Sequence, residues 1–159
     1  MTAASLTQIA RRFLGVMETQ GPNRGFWVSW FQRFSHGVEG ESWCADFVSF
    51  VLDVAYKGKP PIRRSRSTQE MLGEARAKGF LLGVPKADTL FFYVHPTTGL
   101  PHHVGIVTDV RVVNGEQMVT GIAGNTSPDG TSSNGTGVFE HSISTMNVVY
   151  VSLPHEVKE

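Results

Sequence analysis

Cys44 is the one cysteine in a chain of 159 residues, and its setting is where a reactive thiol would be put. It stands in Gly40-Glu41-Ser42-Trp43-Cys44-Ala45-Asp46-Phe47-Val48-Ser49-Phe50-Val51-Leu52. Phe47, Val48, Val51, Val54 and Ala55 follow it at intervals of three and four, the spacing of a helix with one face in the core. Ser42 is the expected N-cap, its hydroxyl accepting an amide N–H that the first turn leaves unpaired, with Cys44 the second helical residue. The thiolate is the nucleophile in cysteine chemistry, and a helix N-terminus draws the pKa from about 8.5 towards roughly 3.5–7.5. A buried cysteine can equally be a small hydrophobe, so the stretch needs partners elsewhere to become a site.

The partner a thiol needs is a base that takes its proton and returns it to a leaving amine, and histidine suits both steps. Of six histidines, His103 is the candidate because it opens an expected strand that would fix its ring. His36, His95, His102, His141 and His155 read as loop or element-end residues. If Val113-Asn114-Gly115 is a three-residue loop, the two strands it joins pair so that His103 faces Asn125, whose amide could hold the imidazole tautomer as in Cys-His-Asn sites. A two-residue Asn114-Gly115 turn would instead set His103 against Thr126, unless a bulge restored the register. In the resulting acyl transfer Cys44 attacks an amide carbonyl, His103 protonates the amine, and water hydrolyses the thioester. The Cys44 backbone N–H is the expected oxyanion donor, with no second donor legible.

The elements that must position these residues follow from periodicity. Ala4–Met17 carries Leu6, Ile9, Ala10, Phe13, Leu14 and Met17 at helical spacing, and Gly21-Pro22-Asn23-Arg24-Gly25 breaks it. The aromatic run Phe26–Phe34 predicts a short helix, with core packing or sugar stacking as its use. The cysteine helix should end near Lys57, before Gly58 and Pro60-Pro61. Thr68–Lys78 predicts a helix capped by Ser67 or Thr68 and stopped by Gly79; the preceding Arg63, Arg64 and Arg66 read as a solvated face or an anion contact. The period then changes to two, predicting strands at Thr89–Val94, His103–Val110, Gln117–Ala123 and Asn147–Val151, with a long polar loop over Gly124–Gly137. Helices followed by a strand meander give an α+β domain whose antiparallel sheet packs on the cysteine helix.

Composition narrows the function classes. The chain is 40% hydrophobic with 14 basic and 14 acidic residues, which fits a single domain over residues 1–159 with no bulk attraction to nucleic acid or anionic membrane. A lone cysteine makes no internal disulfide and no zinc ribbon. No apolar run is long enough to span a bilayer, and Phe13–Met17 is too short for a secretory signal, so synthesis in the cytosol without a signal peptide is expected. The Asn125 and Asn134 sequons read as accidental.

Taken together, Ser42-Trp43-Cys44-Ala45-Asp46-Phe47-Val48-Ser49, Asp88-Thr89-Leu90-Phe91-Phe92, His103-Val104-Gly105-Ile106-Val107 and Gly124-Asn125-Thr126-Ser127 resemble, in order and spacing, the CHAP domains, cysteine, histidine-dependent amidohydrolases/peptidases. The segment from Gly15 to Gly25 resembles the N-terminal part of that family. The resemblance implies a papain-like fold, with Cys44 as nucleophile, His103 as base and Asn125 as the orienting residue. It further implies hydrolysis of a peptidoglycan amide, either N-acetylmuramoyl-L-alanine or a bond within the stem peptide or cross-bridge. The domain would be a bare catalytic unit of the endolysin or bacterial effector kind, a monomer without cofactor or metal, acting on the cell wall after release or delivery. Several relatives carry an acid two positions before the asparagine where this chain has Ala123, so Asn125 would orient the base alone. Two other readings stand beside it: a non-catalytic domain that binds wall peptides or a partner protein, and a zinc-dependent hydrolase using His95, His102, His103 and Cys44.

Overall fold

In the computed structural model, which describes residues 1–157, four helices pack against a six-stranded antiparallel open sheet. The helices are α1 (Leu6–Arg11), α2 (Phe26–Phe34), α3 (Cys44–Ala55) and α4 (Thr68–Ala77). The strands are β1 (Leu81–Leu82), β2 (Thr89–Val94), β3 (Pro101–Val113), β4 (Glu116–Thr126), β5 (Gly137–Ser142) and β6 (Val148–Val151), in the order β1-β6-β2-β3-β4-β5. The expected α+β class and all four helices are present. The expected meander holds only for β2 to β5, because the last strand crosses back to lie between β1 and β2.

Helix α1 is shorter than the Ala4–Met17 periodicity predicts. Ser5 caps it, accepting from the Gln8 N–H at 3.2 Å. Beyond Arg12 the chain leaves the helix through Gly15, whose φ of 84° is left-handed. It then runs along the outer edge of β5, where the Gly15 N–H donates to the Val138 carbonyl (3.1 Å) and the Val138 N–H to the Val16 carbonyl (2.9 Å). Pairing with a distant strand overrides local propensity here. Helix α3 ends as its sequence suggests: Lys57 and Gly58 are left-handed, and the Gly58 N–H donates to the Asp53 carbonyl at 2.9 Å, satisfying a carbonyl of the last turn. Helix α4 has the expected Ser67 cap, accepting from the Glu70 N–H at 3.2 Å.

The two faces of the sheet carry different cores. On the helix side, Phe31, Trp43, Phe47, Val51, Leu90, Phe92, Val104, Ile106 and Ile122 form one continuous buried cluster with Cys44 in it. On the other side Phe91, Val107, Val119, Ala123, Ile143 and Tyr150 form a smaller one. Phe91 fits flat against the strands because two neighbours are glycine. A Cβ on Gly105 would strike the Phe91 ring and come within 2.7 Å of the Ile122 carbonyl, and one on Gly121 would come within 2.8 Å of the same ring.

The β3–β4 hairpin settles the register in an unexpected way. Asn114 and Gly115, with φ of 51° and 78°, make a two-residue turn joining the pair Val113–Glu116, the geometry Asn-Gly favours. The three-residue loop expected from sequence is therefore not formed. A register shift between Val107 and Asp109 then moves the pairing by one, giving Val107–Gly121 and Ile106–Ile122. The bulge thus restores the register in which His103 would face Asn125, but the pairing of β3 with β4 reaches only Ile106–Ile122 and the two residues are not strand partners.

Candidate active site

Trp43 fixes where α3 begins. Its indole stacks on Phe31, with centroids 6.1 Å apart and planes 16° from parallel, and its Nε1–H donates to Glu18 at 3.1 Å. Gly124 lies directly beneath: a Cβ there would be 2.7 Å from the Trp43 ring and 2.9 Å from Phe47 Cβ. The start of α3 is thus pressed onto the backbone of β4 just before Asn125. Trp43 itself is the N-cap residue, and no side chain caps the helix. The expectation of a Ser42 cap is corrected by this: the indole packing draws residue 43 into the cap position and leaves Ser42 exposed.

An uncapped helix start leaves its first N–H groups free for other use. Those of Cys44 and Ala45, and that of Val104 on β3, favour the Cys44 thiolate. Burial outweighs them. Cys44 is 4% exposed, and loss of water pushes its thiol up to about 11, with the nearby Asp46 carboxylate adding to the rise. The expected lowering by the helix dipole is therefore reversed in this closed state, because a charge stripped of water costs more than three amide dipoles return.

His103 is placed by strand alternation. Val104 and Ile106 point into the helix-side core, so His103 lies on the opposite face, paired with Tyr93 across β2 and stacked on its ring at 5.8 Å and 20°. It is 1% exposed, and neither ring nitrogen has a hydrogen-bond partner. Burial, then the charges of His141 and His102, bring its pKa down to about 3. The imidazole is held neutral, as is the thiol.

Asn125 adopts a left-handed backbone, φ 55°, where the pairing of β4 with β5 is interrupted between Ala123 and Thr126. Asparagine tolerates this conformation better than most residues. Its carbonyl accepts from the Gly135 N–H at 2.9 Å, while both side-chain amide atoms are buried without a partner. Cys44 lies on the helix side of β3 and the His103 ring on the other, so the structure does not bring thiol and imidazole onto one face of the sheet. Unpaired buried polar groups each cost about 1–3 kcal/mol, and the His103 imidazole and the Asn125 carboxamide are both such groups.

His141 is the residue that sequence reasoning missed. It was read as an element-end histidine because no strand was expected there. In fact it lies in β5, 6% exposed, edge-on to Phe91 with centroids 6.5 Å apart. Its Nδ1–H donates to the Ser142 carbonyl at 3.0 Å, and Nε2 has no partner. The Phe-Glu-His alternation of Phe139 to His141 was the available signal.

Asp46, two residues after Cys44, is 1% exposed with neither carboxylate oxygen in a hydrogen bond of good geometry. Burial pushes it up to about 7, opposed by the facing Ser35 hydroxyl and by Arg66. The zinc arrangement is not assembled: among the described residues no three of His, Cys, Asp and Glu are grouped to hold a metal ion, so His95, His102, His103 and Cys44 do not form one set. The arginines after α3 are engaged at the surface, Arg63 with Glu74, Arg66 with Glu41, and Arg64 over the Phe34 ring at 4.7 Å. No helix among the described residues is long and apolar enough to cross a membrane. No family model, curated protein or solved structure matches this chain.

Proposed function

We propose that the protein is a cysteine amidohydrolase acting on peptidoglycan, with Cys44 as nucleophile, His103 as general base and acid, and Asn125 as the residue orienting the imidazole. The observation that supports this reading is the uncapped start of α3 at Cys44, buried in one core with Val104, the residue after His103. Because Cys44 and His103 lie on opposite faces of β3 at rest, the reaction requires the imidazole to come round to the helix side, and the thiol proton then passes to it as the sulfur–carbon bond forms. The helix-start N–H of Cys44 is the donor we assign to the carbonyl oxygen as it becomes negative. His103 then gives its proton to the departing amine. Water, deprotonated by the same imidazole, cleaves the thioester and frees the thiol. The wall substrate comes from the resemblance to CHAP domains.

The deep burial of Cys44 favours one competing reading, a domain that binds wall peptides without cutting them. Incubating purified protein with isolated walls and identifying released fragments by mass spectrometry separates the two. New muramic acid or peptide termini, lost in Cys44→Ala and after thiol alkylation but not with chelator, support the hydrolase. Intact walls with retained binding by Cys44→Ala overturn it.

A further inference from the structure

On the sheet face that carries His103, a groove of about 490 Å³ runs between the end of β2 and the loop joining β4 to β5. Tyr93, Pro96, His102, Asp129, Ser144 and Met146 line it, and no lysine or arginine does. It adjoins the His103 side of the candidate site. Tyr93 is the ring stacked on His103, and Gly130, also in the wall, lies against the His141 imidazole so closely that a Cβ would overlap it.

Asp129 is the one carboxylate in this groove, and it is held in place. Its Oδ1 accepts three bonds: from the Ser127 hydroxyl at 2.7 Å, the Thr131 N–H at 3.1 Å and the Thr131 hydroxyl at 2.8 Å. Its Oδ2 takes part in no hydrogen bond or ion pair among the described residues. Glu74 and Glu140, in two other grooves, are instead paired with cations, Glu74 with Arg63 and Lys78 and Glu140 with Arg11. The same three donors bring the Asp129 pKa down to about 2, so it stays ionised throughout the working pH range. A fixed carboxylate with one oxygen unused, flanked by the apolar Pro96 and Met146, matches an ammonium at the end of an aliphatic chain.

We propose that this groove binds the side-chain ammonium of a diamino acid in the peptide substrate, through Asp129 Oδ2, and so selects which stem peptides lie across the site. This rests on the reading of the protein as a wall-peptide enzyme but is tested by binding alone. Calorimetry on the full chain at neutral pH uses L-Ala-γ-D-Glu-L-Lys-D-Ala and its Nε-acetyl form. The free amine should bind about five- to tenfold more tightly than the acetylated peptide. Asp129→Asn should erase that preference and leave affinity for the acetylated peptide unchanged, since the amide Oδ1 still accepts from Ser127 and Thr131. Equal affinity for the two peptides, a preference that survives in Asp129→Asn, or failure of both to bind at millimolar concentration overturns the proposal. Cleavage is scored separately: hydrolysis without amine preference defeats this proposal alone, and amine preference without hydrolysis defeats the amidohydrolase reading alone.

Discussion

Tyr93 lies nearly flat over His103, ring centroids 5.8 Å apart and planes 20° from parallel, on strands that pair the two residues directly. The phenol ring covers one side of the imidazole, and burial is the main reason His103 sits at about 3. In Tyr93→Ala the His103 pKa should climb towards its ordinary value of about 6.5, while Tyr93→Phe should leave it low. Titration of the histidine ring resonances by NMR reads both, and an unchanged value in Tyr93→Ala would show that other groups do the shielding.

Alkylation of Cys44 should be slow at neutral pH. With the thiol pushed up to about 11, the thiolate fraction near pH 7 is on the order of one in ten thousand, and the rate with iodoacetamide should rise about tenfold per pH unit into the alkaline range. A rate already at its plateau by pH 7 would reveal a thiolate–imidazolium pair.

Asp46 should make the fold less stable as the solution becomes more alkaline. Its folded pKa of about 7 exceeds the ordinary value of 3.8, so the native state holds the proton more tightly than the unfolded one. Its contribution is most favourable below about pH 4 and is lost as pH rises towards 7. His103 acts oppositely: its folded value lies below the ordinary 6.5, so its contribution is complete above about pH 6.5 and is lost as pH falls towards 3. Asp46→Asn should therefore stabilise the protein at pH 8, by on the order of 2 kcal/mol, and steepen its loss of stability in acid. Urea unfolding at pH 5 and pH 8 measures the difference; equal gains at both would remove the titration argument.

Gly105→Ala should destabilise the sheet. The new methyl would overlap Phe91 and stand 2.7 Å from the Ile122 carbonyl, costing about 1–3 kcal/mol and lowering Tm by roughly 3–10 °C. Gly73→Ala, in α4 with nothing within 4 Å of the added carbon, should instead gain about 0.5–1 kcal/mol by helix propensity. Calorimetric melting of the two variants against the parent tests the contrast.

The cysteine helix was legible because its signals are local: one thiol, apolar spacing, and a Lys-Gly-Lys-Pro-Pro stop. The register that would set His103 against Asn125 was expected from a three-residue loop that is not formed. The true path, a two-residue turn and a bulge at Thr108, depends on packing beneath the strand. Strand β5 went unseen because it follows a long polar loop and one of its edges is paired with the Gly15–Met17 segment, far off in sequence. The return of β6 beside β2 is a non-local choice of the same kind. The direction of the Cys44 shift was misjudged because a helix start is visible in a sequence and the water excluded around it is not.

The segment from Gly15 to Met17 has one more effect, through its bonds to β5. A sheet's outermost strands offer unpaired amides on which another chain can template itself. Here one border is occupied by the molecule's own N-terminal stretch, bridging at Met17 and Gly137, and the other ends in a strand of two residues, Leu81–Leu82. Little border is left for strand-by-strand polymerisation, which protects a protein with so much apolar β-structure when it accumulates at high concentration.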